Sequence, residues 1–212
     1  MKSTRICIVR HGETAWNVEK RIQGHTDVAL AQAGLAQAEA TARCLSRHPV
    51  AVLYSSDLLR ARQTAVGIAD AHGLPVLLRP ALRERCYGFF EGMTYEEARA
   101  RHPDHYHAFE TRDPDYAFPN AGESLRQLYD RVSGQLRRVA ADHPGELVVL
   151  VTHGGVLDIV NRFVRGNPLH VPRDFLIPNA GITWLSVSGE RWTLDAWGET
   201  GHLDVGGLDE LP

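Results

Sequence analysis

The chain has 212 residues, of which 43% are hydrophobic and 23% charged, close to the soluble globular average, so disorder, collagen-like structure and low-complexity tails are excluded. Twenty-three Lys and Arg stand against 26 Asp and Glu, a formal net charge of -3 with the 11 His counted neutral. That balance argues against nucleic acid and anionic membranes as partners, since both select a basic excess. Cys7, Cys44 and Cys86 are far apart, odd in number and in no CxxC spacing, which fits a reducing cytoplasm better than a disulfide framework or a zinc site. The start, MKSTRICIVR, lacks a signal-type apolar region, and no run is long enough to span a membrane.

In chain order, the first element is a short continuous apolar run, Ile6 to Val9, and runs of the same kind occur at Ala51 to Tyr54 and Leu147 to Val151. Continuous rather than alternating patterns predict strands buried on both faces of a parallel sheet. Helical spacing follows each strand. Residues Gln32 to Ser46 carry Leu35, Ala38, Ala42 and Leu45 on one face, and Asp57 to Ala71 reads as a helix closed by His72-Gly73 with Pro75 beyond. Val76 to Leu78 is a short strand. The stretch from about 88 to 122 breaks the rhythm with aromatics, His, Arg, Pro103, Pro114 and Pro119, and reads as a mainly helical cap lying over one edge of the sheet. Ser124 and Gln127 form a capping box ahead of Leu125, Leu128, Val132, Leu136 and Val139, which predicts a helix to about Asp142. Ile182 to Val187 and Trp192 to Ala196 form a hairpin across Ser188-Gly189-Glu190, so the sheet is mixed; from about Thr200 the chain reads as a loosely packed tail. The whole, 1–212, reads as one α/β layered domain with a cap insertion.

Ligands of open α/β sheets bind beyond the carboxyl ends of the strands. There the first strand delivers Arg10-His11-Gly12-Glu13-Thr14, the second Ser55-Ser56 with Arg60 in the helix that follows, and the third Thr152-His153-Gly154-Gly155. Leu82-Arg83-Glu84-Arg85 follows Val76 to Leu78 and can bring Glu84 alongside. Guanidinium forks match phosphate oxygens, a neutral imidazole can attack phosphorus, and a carboxylic acid can protonate the departing alkoxide. Together these residue types read as phosphoryl transfer through a phosphohistidine, a chemistry that requires neither metal nor organic cofactor.

The string Arg10-His11-Gly12-Glu13-Thr14 resembles the signature of the histidine phosphatase superfamily, also called the phosphoglycerate-mutase-like family. Arg21 to Ala29 (RIQGHTDVA), Ser55 to Ala65 (SSDLLRARQTA), Leu82 to Gly92 (LRERCYGFFEG), Gly122-Glu123-Ser124 and Val151 to Gly155 (VTHGG) resemble its later blocks in order, so the likeness covers most of the chain. The resemblance implies a three-layer αβα sandwich with a variable cap. It also implies that His11 becomes phosphorylated, that Arg10, Arg60 and His153 surround the phosphoryl group, and that Glu84 donates and later accepts the proton. Asn17, Gln23 and Gly24 match positions that contact the phosphate or leaving group in relatives, and Gly154 belongs to the same substrate-binding set.

Such a core can pass the phosphoryl group to water or return it to a sugar acid. Gln23-Gly24-His25 and Phe90-Glu91-Gly92 are more similar to the phosphatase branch, and Glu91 puts a negative charge where a polyanion clamp needs the opposite sign. Arg99, Arg101 and Arg112 of the cap include no adjacent pair. The expectation is therefore a phosphomonoesterase for a small phosphorylated metabolite, acting as a monomer or homodimer, with a cofactor-dependent phosphoglycerate mutase as the alternative. His202 to Asp204 resembles a C-terminal His-Leu-Asp of small bacterial relatives named as mutases. His102, His105 and His107 lack a fourth ligand and a common helical face across Pro103, so they are read as cap residues rather than a metal site. The cap aromatics serve either an acceptor pocket or the cap's own core, Arg62 either the site or solvent, and Cys86 is no nucleophile.

Overall fold

In the computed structural model, which describes residues 3–203, six strands form one sheet: β1 (Thr4–Arg10), β2 (Val50–Ser55), β3 (Val76–Leu78), β4 (Leu147–Thr152), β5 (Ile182–Ser188) and β6 (Arg191–Glu199). Their order is β3-β2-β4-β1-β5-β6, parallel from β3 to β1 and antiparallel through β5 and β6. Seven α-helices accompany them among the described residues: α1 (Ala15–Val18), α2 (Gln32–Leu45), α3 (Leu59–His72), α4 (Tyr95–Arg101), α5 (Pro103–Glu110), α6 (Leu125–Asp142) and α7 (Gly154–Arg165).

The continuous apolar strands are explained by two cores. Ile6, Ile8, Val148 and Leu150 face α6 and α7, whereas Cys7, Val9, Val149 and Val151 face α2 and α3. Alternate side chains leave opposite faces of a strand, so burial of both faces leaves no position for a polar residue. This is the three-layer αβα sandwich. Truncating a fully buried residue such as Leu150 would cost about 2–5 kcal/mol.

Register places the site. Arg10 of β1 pairs with Thr152 of β4, and Ser55 of β2 pairs with Val151, so three parallel strands stop at one level and release their next residues side by side. The Ser124–Gln127 capping box forms as the spacing predicts, and α3 ends on Gly73 in the left-handed region at φ 64. Its start differs from the sequence reading: α3 begins at Leu59, two residues after Asp57. Asp57 is diverted to Arg83, at 2.7 and 2.5 Å, and the Leu59 amide is instead capped by Asp27 Oδ1 at 2.6 Å. That carboxylate offsets the helix dipole where Arg60 adds a cation.

The 88–122 segment contains a 3-10 turn at Gly88–Phe90 and helices α4 and α5 around its own aromatic core of Tyr87, Phe90, Tyr106 and Phe118. Among its links to the rest are two sets of main-chain bonds. Main-chain bonds Ile22 N to Met93 O and Gly92 N to Ile22 O, both 2.8 Å, tie it to the loop after α1. Its two ends meet at a neck, where Phe89 N donates to Pro119 O at 3.4 Å and Glu123 N to Cys86 O at 2.8 Å. The expected loose tail is anchored at His202, whose Nε2 lies 3.1 Å from Thr41 Oγ1 of α2; Asp204 of the His-Leu-Asp lies outside the described residues.

Candidate active site

The floor of the site lies at the ends of β1, β2 and β4. Arg10, His11, Arg60 and His153 are buried there, each 3% exposed or less. His11 and His153 stand ring to ring with centroids 5.1 Å apart. His11 Nδ1 is 2.8 Å from the Gly12 carbonyl, and because a carbonyl can only accept, Nδ1 carries the proton and Nε2 keeps its lone pair. Burial and the neighbouring Arg60 and Arg10 cations hold the His11 pKa well below its ordinary value, so the ring is neutral at physiological pH.

His153 is held in the same neutral state, by burial first and then by Arg60, His11 and Arg10. Its Nε2 lies 2.8 Å from Ser56 Oγ. Ser56 Oγ also accepts from the Leu58 amide at 3.3 Å. When Ser56 donates its own proton to Nε2, His153 is the Nδ1–H form, and Nδ1 is buried with no protein partner. Ser56 shows in the sequence only as the polar end of a strand.

Neutral main-chain groups hold Arg60: Nη2 donates to Gly24 O at 2.8 Å and Nη1 to Thr26 O at 3.0 Å, while buried Nε has no protein partner. Burial lowers its pKa to about 10, which leaves it charged at neutral pH. Arg10 donates Nη1 to the Ile177 carbonyl. The loop Pro178 to Gly181, absent from the sequence reading, braces this strand end. Arg10 N donates to Gly181 O at 3.2 Å, and Asn179 Nδ2 and Ala180 N both donate to His11 O. Asn-Ala-Gly ahead of a strand is a turn signal that could have drawn attention to it.

Gln23 and Gly24 line the cleft over His11, with Gln23 Oε1 buried and unpartnered. Gly24 is required where it stands, at φ +50 with Glu91 Oε1 only 2.1 Å from where a Cβ would sit. Glu91 corrects the sequence reading. Its carboxylate accepts from the amides of His25, Thr26 and Tyr87 at 3.0–3.1 Å and from Thr26 Oγ1, so its charge is used to hold the Gly24 loop. Asn17, expected as a contact to the phosphate or leaving group, is buried in the α1 cap: its Oδ1 accepts from Thr14 N at 2.7 Å and lies 3.4 Å from Asn179 Nδ2.

Glu84 stands on the wall of the cleft, 7% exposed. It forms no ion pair with its flanking arginines, since Arg83 binds Asp57 and Arg85 donates to the carbonyls of Glu123 and Tyr116. Its oxygens accept instead from Arg85 N at 2.7 Å and Gly155 N at 3.0 Å. Gly154 and Gly155 open α7, and a Cβ on Gly155 would lie 2.2 Å from Glu84 Oε1, so the backbone there accommodates the acid only as glycine. Arg62 is exposed. Among the described residues no three His, Cys, Asp or Glu converge on a metal-sized site; His102 and His105 pack edge-on against Phe89, and His105 Nδ1 lies 2.6 Å from Tyr116 Oη. Burial pushes the Cys86 thiol pKa up, away from a reactive thiolate.

The model of the histidine phosphatase superfamily (branch 1) matches residues 6–200. The chain belongs to this superfamily. Among histidine phosphatase relatives, it is 42% identical to "Phosphoglycerate mutase-like protein 4" of Arabidopsis thaliana, over 96% of this chain and 88% of that protein. It is 39% identical to the "Metal-independent phosphoserine phosphatase" of the same plant, over 97% and 85%. Among solved structures, a mycobacterial glucosyl-3-phosphoglycerate phosphatase superposes with a TM-score of 0.83 at 31% identity, over 94% of this chain and all of that one.

Proposed function

We propose that this histidine phosphatase superfamily member is a phosphomonoesterase that releases phosphate from small metabolites through a phosphohistidine on His11. The observation that carries the reading is the protonation pattern of His11: a neutral ring with Nδ1–H fixed on Gly12 O and Nε2 free to attack, beside Arg10 and Arg60. Nε2 attacks phosphorus in line, and the ester oxygen leaves on the opposite side. Arg10, Arg60 and His153 Nδ1–H carry the charge of the transferring group, the role in which fixed donors do most of the catalytic work. Glu84 protonates the leaving alkoxide, then takes a proton from the water that cleaves the phosphohistidine, returning both residues to their first state. Gln23, Gly24 and Gly154 complete the phosphoryl pocket, and the Gly155 amide positions Glu84.

Its phosphatase relatives support hydrolysis over transfer. A cytoplasmic setting agrees with three free cysteines, and no helix among the described residues is long and apolar enough to cross a membrane. The deciding experiment traps the enzyme with a labelled phosphomonoester. An acid-labile phosphoenzyme that vanishes in His11→Ala is the expected result, and a phosphoenzyme that survives this change removes the assignment. Dominant interconversion of 3- and 2-phosphoglycerate, with bisphosphoglycerate supplied, would replace the phosphatase reading with the mutase one.

A further inference from the structure

Behind Glu84 lies a second cavity, of about 260 Å³, that the phosphoryl chemistry does not use. Its relation to the site is set by two residues. Tyr87 lines both the cleft and this cavity, and Gly155, which lines the cavity, donates its amide to Glu84 on the wall of the cleft. In-line attack by His11 sends the leaving oxygen toward its proton donor, so the rest of the alcohol extends past Glu84, on the side where Tyr87 and Gly155 place the cavity.

The cavity has an apolar body and an excess of positive charge. Tyr87, Tyr106, Phe109 and Leu125 supply carbon surface. Asp158 is shared by two guanidiniums, Arg112 at 2.5 Å and Arg162 at 3.1 Å. Glu110 at the rim is bound to Arg99 at 2.8 Å. Arg85 is 4% exposed and forms no ion pair with a carboxylate among the described residues. Its Nε and Nη2 donate to the Glu123 and Tyr116 carbonyls, at 2.8 and 3.2 Å, and neither bond uses Nη1. This is the arrangement of Arg60, where carbonyls hold a buried guanidinium without cancelling its charge. Burial lowers the pKa of Arg85 and Arg162, and Arg112 lowers both further, as expected for crowded buried cations.

We propose that this cavity receives the alcohol portion of the substrate and that this portion carries a carboxylate, bound by Arg85 and Arg112. The substrate class is then the phosphate ester of a small hydroxy acid or hydroxy amino acid. The volume lies below the roughly 300–1,000 Å³ of sites that enclose larger ligands, which suits a short carbon skeleton and not a nucleotide. The inference rests on the phosphatase reading and names the substrate of that same site.

The test compares matched esters that differ at the carboxylate: O-phosphoserine against O-phosphoethanolamine, and 3-phosphoglycerate against glycerol 3-phosphate. Wild-type kcat/KM is expected to favour the acid of each pair by roughly 10- to 100-fold, the range of a charge-assisted hydrogen bond. In Arg85→Met and Arg112→Met that ratio falls toward one, and Arg112→Lys keeps part of it. A wild-type ratio near one, or a ratio unchanged in both Met variants, overturns the proposal. Where a variant does not fold, wild-type product inhibition decides: glycerate is expected to inhibit at least about 10-fold more strongly than glycerol, and equal inhibition overturns the proposal. Turnover of p-nitrophenyl phosphate through His11 separates the two claims. With that turnover present and no acid preference, only the substrate class falls; without it, the phosphatase reading falls first.

Discussion

Arginines at the floor of this molecule and arginines around its rim are handled in opposite ways. Arg60 is buried and bound by the carbonyls of Gly24 and Thr26, whereas Arg83, Arg126 and Arg131 each meet a carboxylate, on Asp57, Asp115 and Glu123, at 2.5–2.7 Å. A carbonyl fixes a guanidinium in place and leaves its charge almost whole; a carboxylate fixes it and neutralises it. Desolvating a cation in the first way is costly, and a fold accepts that cost where an anion is to arrive. Except where two guanidiniums share one carboxylate, as Arg112 and Arg162 share Asp158, the pattern of partners, more than burial or residue type, separates arginines kept for a ligand from arginines that hold the fold.

The largest test of that contrast is Arg60→Met. A loss of about 10²–10³ in kcat/KM is expected from removing one fixed donor, with the thermal midpoint unchanged or raised, since an apolar side chain replaces a buried charge. A large fall in the midpoint would mean that Arg60 serves mainly to hold the Gly24 loop. Next in size is a pH effect. The folded pKa values of His11 and His153 lie well below the ordinary value, while the unfolded chain takes up these protons near about 6.5. Below that pH the unfolded state binds more protons, so stability is full above it and falls as the pH falls. Each imidazole contributes a slope of up to about 1.4 kcal/mol per pH unit. Denaturant unfolding between pH 6.5 and 4.5 measures it, and His11→Asn should remove one such slope; an unchanged slope would show that His11 is not buried as a neutral ring. The smallest effect is expected at the rim. Arg126→Met breaks an ion pair whose side chains are more than half exposed, so stability should shift by less than about 1 kcal/mol and turnover by less than twofold.

The floor was legible in the sequence because it follows from strand ends. Ile6 to Val9, Ala51 to Tyr54 and Leu147 to Val151 announce doubly buried strands, and once those are parallel neighbours, Arg10-His11, Ser56 and His153 must emerge together. The partners of Arg60 were not legible, since Gly24 and Thr26 lie more than thirty residues away and act through carbonyls that every residue possesses. Glu91 misled for a related reason. Its charge was visible in the sequence, but the amides of His25, Thr26 and Tyr87 that absorb it were not. The start of α3 was misplaced because Asp57, a good cap by type, bonds to Arg83, a contact between side chains 26 residues apart. The brace from the Asn179 side chain and the Ala180 amide to His11 O is likewise a long-range contact that local pattern does not encode.

The neck of the cap has a consequence for how the molecule can change. Its two ends are clasped by main-chain bonds, Phe89 to Pro119 and Glu123 to Cys86, so the segment between them is a loop whose closure is already supplied by the core. Closure entropy grows only logarithmically with length, about 0.6 kcal/mol for each doubling. Provided Glu91 and its hold on the Gly24 loop are kept, caps of very different length can therefore be grafted at this point for a small entropic difference, while the strand register that aligns the phosphoryl site stays as it is. The alcohol that the enzyme accepts and the bond that it breaks can be varied separately.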